Sequence, residues 1–83
     1  MHELSNHVRE EMARRGIPMA VVLSVLAAPE QKVPEHNDVV CYQSQVVINR
    51  KSYLVRVMVN ETLTPARVVT VYRTSKIGKY WRK

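Results

Sequence analysis

Hydrophobic residues follow two different periods along this 83-residue chain, a helical period in its first part and a strand period in its second. Leu4, Val8 and Met12 are spaced by four, which puts them on one face of a helix. Gly16 is a natural stop, because glycine adopts the left-handed conformation that often ends a helix. The pattern predicts a first helix over about residues 4–15.

The stretch "IPMAVVLSVLAAPE" is apolar over more than one face and is bracketed by two prolines. Pro18 fits the first turn of a helix, and Pro29 fits its end. The run is rich in valine, but its ten apolar or small residues favour a buried helix over a strand. We therefore predict a second helix over about residues 18–28, followed by a loop in "EQKVPEHND".

After this loop the apolar residues alternate with polar ones, as expected of strands that are covered on one face. We predict strands over about residues 39–48, 53–60 and 67–74, and a tail over 75–83. The connections "NRKS" and "ETLTPA" are short, which favours an antiparallel meander. The expected fold is a single α+β domain, with two N-terminal helices packed on one face of a three-stranded antiparallel sheet. The other face would stay open to solvent.

Alternation sorts the strand side chains onto these two faces. In the second strand, Tyr53 and three valines form an apolar set that should contact the helices, so Arg56 projects from the open face. In the third strand, Val69 and Val71 should point inward. The side chains left beside Arg56 are then Thr70, Tyr72 and Thr74. The first strand would add Gln43 or Gln45, unless a bulge reverses its alternation.

Positive charge is concentrated in the second half of the chain. The net charge is +6, but residues 1–49 carry −2 and residues 50–83 carry +8. A basic half of this kind attracts nucleic acid or another polyanion over long distances. The alternative explanation is solubility, since a basic surface also keeps a small protein dissolved.

The open face and the tail together have a composition typical of nucleic-acid binding. Arginine offers a fork to phosphate, hydroxyl groups bind phosphate oxygens, and aromatic rings stack on unpaired bases. The alternatives are that Arg56 is a solvated arginine covering apolar surface, and that Tyr72 and Trp81 belong to the core. The predicted nucleic-acid-binding residues are Arg56, Thr70, Arg73, Thr74, Lys76, Lys79, Tyr80 and Trp81.

The single cysteine, the longest apolar run and the histidines bear on the cellular compartment and on metal binding. A single cysteine, Cys41, cannot form an internal disulfide, which fits a reducing cytoplasm. The longest apolar run is about half of what spans a bilayer, so no membrane contact is expected. His2 and His7 are five residues apart and lack zinc-site spacing, so we expect neither a metal nor a cofactor.

Four segments occur in the order "HVREEMARRGI", "RGIPMAVVLSVLAAPE", "YLVRVMV" and "VVTVYRTSKIGKYW". In this order they resemble the DUF4258 family of small bacterial proteins, from about His7 to Trp81. The ending "TSKIGKYW" is the most specific part of the resemblance. The family is similar to the RelE-like and BrnT-like toxins, whose folds place N-terminal helices on one face of an antiparallel sheet and bind RNA on the other.

The resemblance implies a metal-independent endoribonuclease that acts on RNA with the open sheet face. The catalytic residues it implies are His7, Arg56, Tyr72 and Lys76. His7 or Tyr72 would move protons, and Arg56 and Lys76 would stabilise the charge on the phosphorane. Active sites vary within this group, so no fixed triad carries over, and an exposed helix histidine is the alternative for His7.

Three functions therefore stay open. The first is a toxin-type ribonuclease whose partners are RNA and an acidic antitoxin protein. The second is a non-catalytic module that binds RNA or protein with the same face, and the third is a scaffold that has lost its activity and binds a protein. We expect a monomer or weak homodimer, because the edges of a small sheet are open to pairing.

Overall fold

A computed structural model describes residues 2–83, which form a sheet and three short helices. No helix within this range is long and apolar enough to cross a bilayer. The elements in chain order are β1 (His2–Leu4), α1 (Asn6–Arg14), α2 (Met19–Ala27), β2 (Gln31–Pro34), β3 (Val39–Ile48), β4 (Lys51–Asn60), β5 (Ala66–Thr74) and α3 (Ile77–Tyr80).

The sheet is larger than the sequence pattern indicates. It has five strands in the order β1-β5-β4-β3-β2, with β1 parallel to β5 and the other neighbours antiparallel. The predicted α+β arrangement, two helices on a three-stranded antiparallel sheet, is therefore wrong. The protein has a mixed five-stranded sheet and a third helix, and most of its structured residues lie in strands.

The two additional strands lie at the edges of the sheet, where sequence signals are weak. β2 lies in the segment whose composition predicts a loop, and in the structure its only buried residue is Val33 and it ends in a proline. Pro34 is tolerated because an edge strand need not donate every backbone N–H. β1 has three residues, too few to display a period, and its Leu4 packs against the core rather than beginning a helix.

α1 consequently starts at Asn6, two residues later than predicted. Ser5 caps it, since its hydroxyl accepts a hydrogen bond from the backbone N–H of Val8 at 3.2 Å. Gly16 ends the turn with a φ of 66°, and the next N–H, that of Ile17, reaches back to the Met12 carbonyl at 2.9 Å. The cap and the left-handed glycine fix both ends of the helix.

One face of the sheet packs against α1 and α2 as an apolar core. Val8 and Met12 from α1 and Val22 and Val25 from α2 are buried. They pack with the inward valines of β4 and with Val71 of β5. Burying a side chain of this size contributes about 1.5–3 kcal/mol. Tyr53 and the three valines of β4 that were predicted to point inward thus lie on the helix side of the sheet, as expected.

A bulge alters the expected faces of β5. Val59 pairs with Val68 while the preceding Met58 pairs with Thr70, so one residue of β5 is skipped. Val68 is consequently buried at 1% exposure, and Val69 is 46% exposed. The prediction that Val69 points inward is wrong, because a bulge inserts a residue and reverses the alternation beyond it.

The opposite face is not open to solvent as expected. The C-terminal segment, residues 75–83, returns across it and includes α3. Under this segment Cys41, Gln43 and Leu54 are fully buried, and Arg56 is 4% exposed. The sheet is therefore covered on both faces, and the candidate chemistry lies beneath and beside the C-terminal segment.

Candidate functional site

Four side chains form a continuous hydrogen-bonded row across the sheet on the face covered by the C-terminal segment. Gln31, Gln43, Arg56 and Tyr72 come from β2, β3, β4 and β5, and each stands directly opposite the next in the strand register. Gln43 donates to Gln31 at 2.8 Å, Arg56 Nε donates to Gln43 at 2.8 Å, and Arg56 Nη1 donates to the Tyr72 hydroxyl at 2.6 Å. We call this set the transverse polar row.

Arg56 is the charged centre of the row. Its Nη2 lies 3.5 Å from Oε2 of Glu35, and its guanidinium lies 4.5 Å from the centre of the Tyr80 ring. Burial opposes its positive charge, but the hydrogen bond with Tyr72 and the nearby Cys41, Tyr72 and Glu35 outweigh that effect and raise its pKa. Arg56 is therefore a fixed cation held by neighbours from β3, β5, α3 and the loop after β2.

The transverse polar row also holds the C-terminal segment in place. Gln43 donates a second hydrogen bond, of 3.2 Å, to the carbonyl oxygen of Tyr80. The Gln31 side chain accepts from the backbone N–H of Arg82 at 3.0 Å and donates to the carbonyl of the same residue. Because these bonds go to backbone atoms, the row fixes the path of the segment across the sheet.

Between the row and the C-terminal segment lies a cleft of about 270 Å³. Three cations and one carboxylate face it, so it carries a net positive charge. It also presents two aromatic rings. The lining residues are Glu35, Arg56, Lys79, Tyr80, Trp81 and Arg82. Such a set suits an anionic ligand that has a flat group attached, since cations bind the anion and rings stack on the flat part.

The structure brings together five of the predicted site residues. Arg56, Lys79, Tyr80 and Trp81 line the cleft, and Tyr72 bonds directly to Arg56 in the row. Tyr72 and Tyr80 also meet edge to face, with their ring centres 6.4 Å apart. The tail and the sheet face that the sequence linked by composition are thus neighbours in space.

The other predicted residues lie elsewhere. The Thr70 hydroxyl donates to Glu11 of α1 at 3.2 Å. Arg73 stacks at 4.4 Å over the Tyr53 ring and donates to the Gly16 carbonyl, which places it on the helix side of the sheet. Thr74 accepts from the backbone N–H of Lys76 at 3.0 Å, in the turn before α3.

His7 is also outside the cleft. It lies on α1 with its side chain 75% exposed, and its Nε2 is 3.8 Å from Glu11. Glu11 in turn contacts Arg14 and Arg15 of the same helix. This cluster ties α1 to the edge of β5, where Arg15 donates to the Val71 carbonyl at 3.1 Å. It does not join the residues that line the cleft.

Three residues of the site were missed by sequence reasoning. Gln31 and Glu35 lie in the segment expected to be a loop, so no face could be assigned to them. Arg82 was counted only as part of the basic tail. The available signal was the pair of glutamines, Gln31 and Gln43, since a glutamine on a sheet face requires hydrogen-bond partners.

Cys41 lies beside the row but is not poised for nucleophilic chemistry. It is fully buried, and its Sγ is 3.8 Å from Oε1 of Gln43. Burial raises the pKa of the thiol to about 11, although nearby Arg56 acts in the opposite direction. Cys41 is therefore a neutral thiol at physiological pH. Within residues 2–83, no group of three His, Cys, Asp or Glu side chains is placed to hold a metal ion.

A family model described as a domain of unknown function, DUF4258, matches residues 4–73. The chain belongs to the DUF4258 family. The matched range includes Arg56 and Tyr72 of the transverse polar row. It ends at residue 73, so the "TSKIGKYW" ending that the resemblance included lies outside it. No curated protein and no solved structure matches the chain significantly.

Proposed function

We propose that this DUF4258 protein binds single-stranded RNA in the cleft beside Arg56. The observation that supports the proposal best is the convergence of three cations and two aromatic rings on a cleft of about 270 Å³. A cleft of this volume accepts one nucleotide unit at a time rather than a duplex. The ligand would therefore be an unpaired strand whose bases are free to leave the stack.

Arg56 would bind a phosphate of the strand. A guanidinium has five N–H groups, and Gln43, Tyr72 and Glu35 engage three of them. Lys79 and Arg82 are exposed at the same cleft and would neutralise phosphates on either side. The +8 charge of residues 50–83 supports the proposal further, because it attracts a polyanion before contact.

Trp81 would supply the stacking surface for a base. Its ring is half-buried at the cleft, whereas the Tyr80 ring is already packed over Arg56. Stacking of a base on an aromatic ring is worth about 1–3 kcal/mol and tolerates any sequence. The proposal therefore predicts binding with weak preference among bases.

The test is the affinity of the protein for an unstructured, fluorescently labelled RNA across a series of salt concentrations. The double variant Lys79→Ala/Arg82→Ala removes two exposed cleft cations without touching the core. It should bind more weakly, with a slope of log affinity against log salt that is smaller by about 1.4. The control is Arg9→Ala, which removes an exposed charge on α1, outside the cleft. Absence of RNA binding, or equal loss in the control, would refute the proposal.

A second proposed activity is cleavage of that RNA without a metal ion. The specific observation behind it is that the Glu35 carboxylate lies 3.5 Å from Arg56 in the same cleft. In such a cleavage the ribose 2′-oxygen attacks the adjacent phosphorus and loses its proton to a base. The bond from phosphorus to the 5′-oxygen breaks, and the leaving oxygen takes up a proton. The products are a 2′,3′-cyclic phosphate and a 5′-hydroxyl.

Incubation of RNA with the protein in excess chelator tests this second activity. Arg56→Lys keeps a positive charge but loses the guanidinium fork, so new RNA ends should form with the native protein and not with the variant. His7→Ala is the companion variant, because His7 lies outside the cleft. Retained cleavage in His7→Ala would assign the proton transfers to groups other than this histidine. Binding without new ends would leave the chain as a binding module.

We also propose a role like that of the RelE-like and BrnT-like toxins. It adds an acidic antitoxin protein as a partner, which would compete with RNA for the same positive cleft. If the protein neither cleaves nor retards RNA, the protein partner becomes the better explanation of the basic surface. That outcome would move the function to a protein-binding scaffold.

A further inference from the structure

Glu35 is the feature of the cleft that a simple anion site does not require. It is the only acidic side chain among the described residues that line the cleft, beside Arg56, Lys79 and Arg82. A carboxylate repels phosphate and lowers the affinity of a cation cluster for it. Its presence therefore needs either a structural explanation or a ligand that offers hydrogen-bond donors next to its phosphate.

The structure holds Glu35 in a defined place. It directly follows β2, and its backbone N–H donates to the Val39 carbonyl at 2.9 Å, which closes the loop between β2 and β3. The side chain is 25% exposed, and Oε2 is 3.5 Å from Arg56 Nη2. Arg56 donates only to Oε2, and an ionised carboxylate has about four acceptor sites on two oxygens, so Glu35 retains capacity to accept from a ligand.

An ionised carboxylate only accepts hydrogen bonds, whereas a guanidinium only donates them. A ligand that satisfies both must present a donor beside an acceptor-rich anion. The ribose of RNA does so, because its 2′-hydroxyl is on the carbon next to the one that bears the 3′-phosphate. Deoxyribose lacks that hydroxyl, and the 2′-hydroxyl is the group by which proteins distinguish RNA from DNA.

We propose that Glu35 accepts a hydrogen bond from the ribose 2′-hydroxyl while Arg56 binds the adjacent phosphate, and so restricts the cleft to RNA. The inference rests on the proposed RNA binding at this cleft. It assigns Glu35 a role in specificity, which holds whether or not the bound strand is cleaved. It also gives a reason for a carboxylate among cations that bind phosphate.

The experiment compares three oligonucleotides of one sequence, a single-stranded RNA, its 2′-O-methyl form and the corresponding DNA. Neither of the last two has a 2′-hydroxyl that donates. The native protein should bind RNA at least about tenfold more tightly than the other two, since a hydrogen bond to a charged group is worth about 1.5–3 kcal/mol. Glu35→Ala should lose this preference, by weaker binding of RNA and equal or tighter binding of DNA. Glu35→Gln keeps an acceptor oxygen and should retain part of the preference.

The control variant is Glu10→Ala, which removes an exposed carboxylate from α1. It should leave the ratio of RNA to DNA affinity unchanged. Thermal unfolding of each variant shows whether the fold is intact, and Glu35→Gln serves as the test variant if Glu35→Ala does not fold. Equal affinity of the native protein for all three strands, still dependent on Lys79 and Arg82, would overturn the role of Glu35 and leave the binding proposal standing. Failure to bind any of the strands would overturn both.

Discussion

The two faces of the sheet are both covered, but by different physical means. On the helix side, apolar residues such as Val57 and Val71 pack against α1 and α2, and the contacts are non-directional. On the other side, the transverse polar row binds the C-terminal segment through hydrogen bonds to the backbone of Tyr80 and Arg82. The first face tolerates changes of apolar shape, whereas the second depends on particular donors and acceptors being present together.

This difference separates stability from the candidate chemistry. Hydrogen bonds to Gln43 and Tyr72 fix Arg56 in one orientation, which a phosphate-binding site requires. No buried side-chain nitrogen or oxygen among the described residues lacks a partner. Removal of one member would leave its neighbours' donors or acceptors without partners. Each buried polar atom without a partner costs about 1–3 kcal/mol of stability.

The largest effect is expected from truncation on the apolar face. Met12 is 3% exposed in the helix-side core, and Met12→Ala should lower the free energy of unfolding by about 2–5 kcal/mol. Urea denaturation measures the loss. Affinity for RNA, measured on the folded fraction, should stay unchanged. A loss of affinity in folded protein would show that the two faces are coupled rather than separate.

A pH titration probes the buried thiol on the polar face. The pKa of Cys41 is raised from 9.0 to about 11 by burial, so the folded state holds this proton more tightly than the unfolded state. The contribution of the neutral thiol is complete below pH 9.0 and is lost as pH rises through about 11. Native protein should lose about 2 kcal/mol of stability between pH 8 and pH 10.5 from this group.

Cys41→Ala supplies the comparison for that titration, since lysines and tyrosines titrate in the same range in both proteins. The difference in unfolding free energy between native protein and variant should shrink as the pH rises. The cavity left by the substitution adds a constant that does not depend on pH. Parallel curves of unfolding free energy against pH for the two proteins would mean that Cys41 is not held in a buried, neutral form.

A matched pair of glutamines on β3 tests the cooperative character of the row. Gln43 is fully buried and bonds to Gln31, Arg56 and Tyr80, whereas Gln45 on the same strand is exposed. Gln43→Ala should cost about 1–3 kcal/mol and weaken RNA binding, because Arg56 loses an orienting partner. Gln45→Ala should stay within about 0.5 kcal/mol of native. Similar effects at both positions would argue against the row as a unit.

The apolar face was the more predictable one. The alternation of apolar and polar residues alone assigns the valines of β4 to the helix side. β3 occupies Val39–Ile48, the range that this alternation predicts. The bulge that turns Val69 outward leaves no mark in the hydrophobic pattern, since Val68 and Val69 are the same residue type. The strand count was wrong because both additional strands are short edge strands. β1 pairs with β5, which is distant in sequence, and β2 has only one buried apolar residue, Val33, so neither strand displays a period.

The candidate site was predictable only in part, because its contacts depend on the strand register and on a strand that the sequence pattern does not predict. Composition linked Arg56 to the aromatic and basic tail, and the structure places Lys79, Tyr80 and Trp81 at its cleft. The identity of the remaining contacts depends on three-dimensional register, which puts Gln31 opposite Gln43 across strands that were not both foreseen. A predicted loop has no faces, so Glu35 could not be assigned to the cleft from sequence.

The smallest effect expected concerns Tyr72, at the end of the row. Tyr72→Phe removes one hydroxyl, which accepts from Arg56 Nη1 at 2.6 Å, and leaves the ring in place. The cost should be about 1 kcal/mol of stability, because Arg56 keeps its bonds to Gln43 and Glu35. RNA affinity should change little, since the freed N–H is available to a phosphate. Native protein and Tyr72→Phe are compared by urea unfolding, by RNA binding and by cleavage in chelator. If the variant binds RNA as native protein does but no longer cleaves it, the hydroxyl takes part in the reaction. If both properties persist, Tyr72 orients Arg56 and does no more.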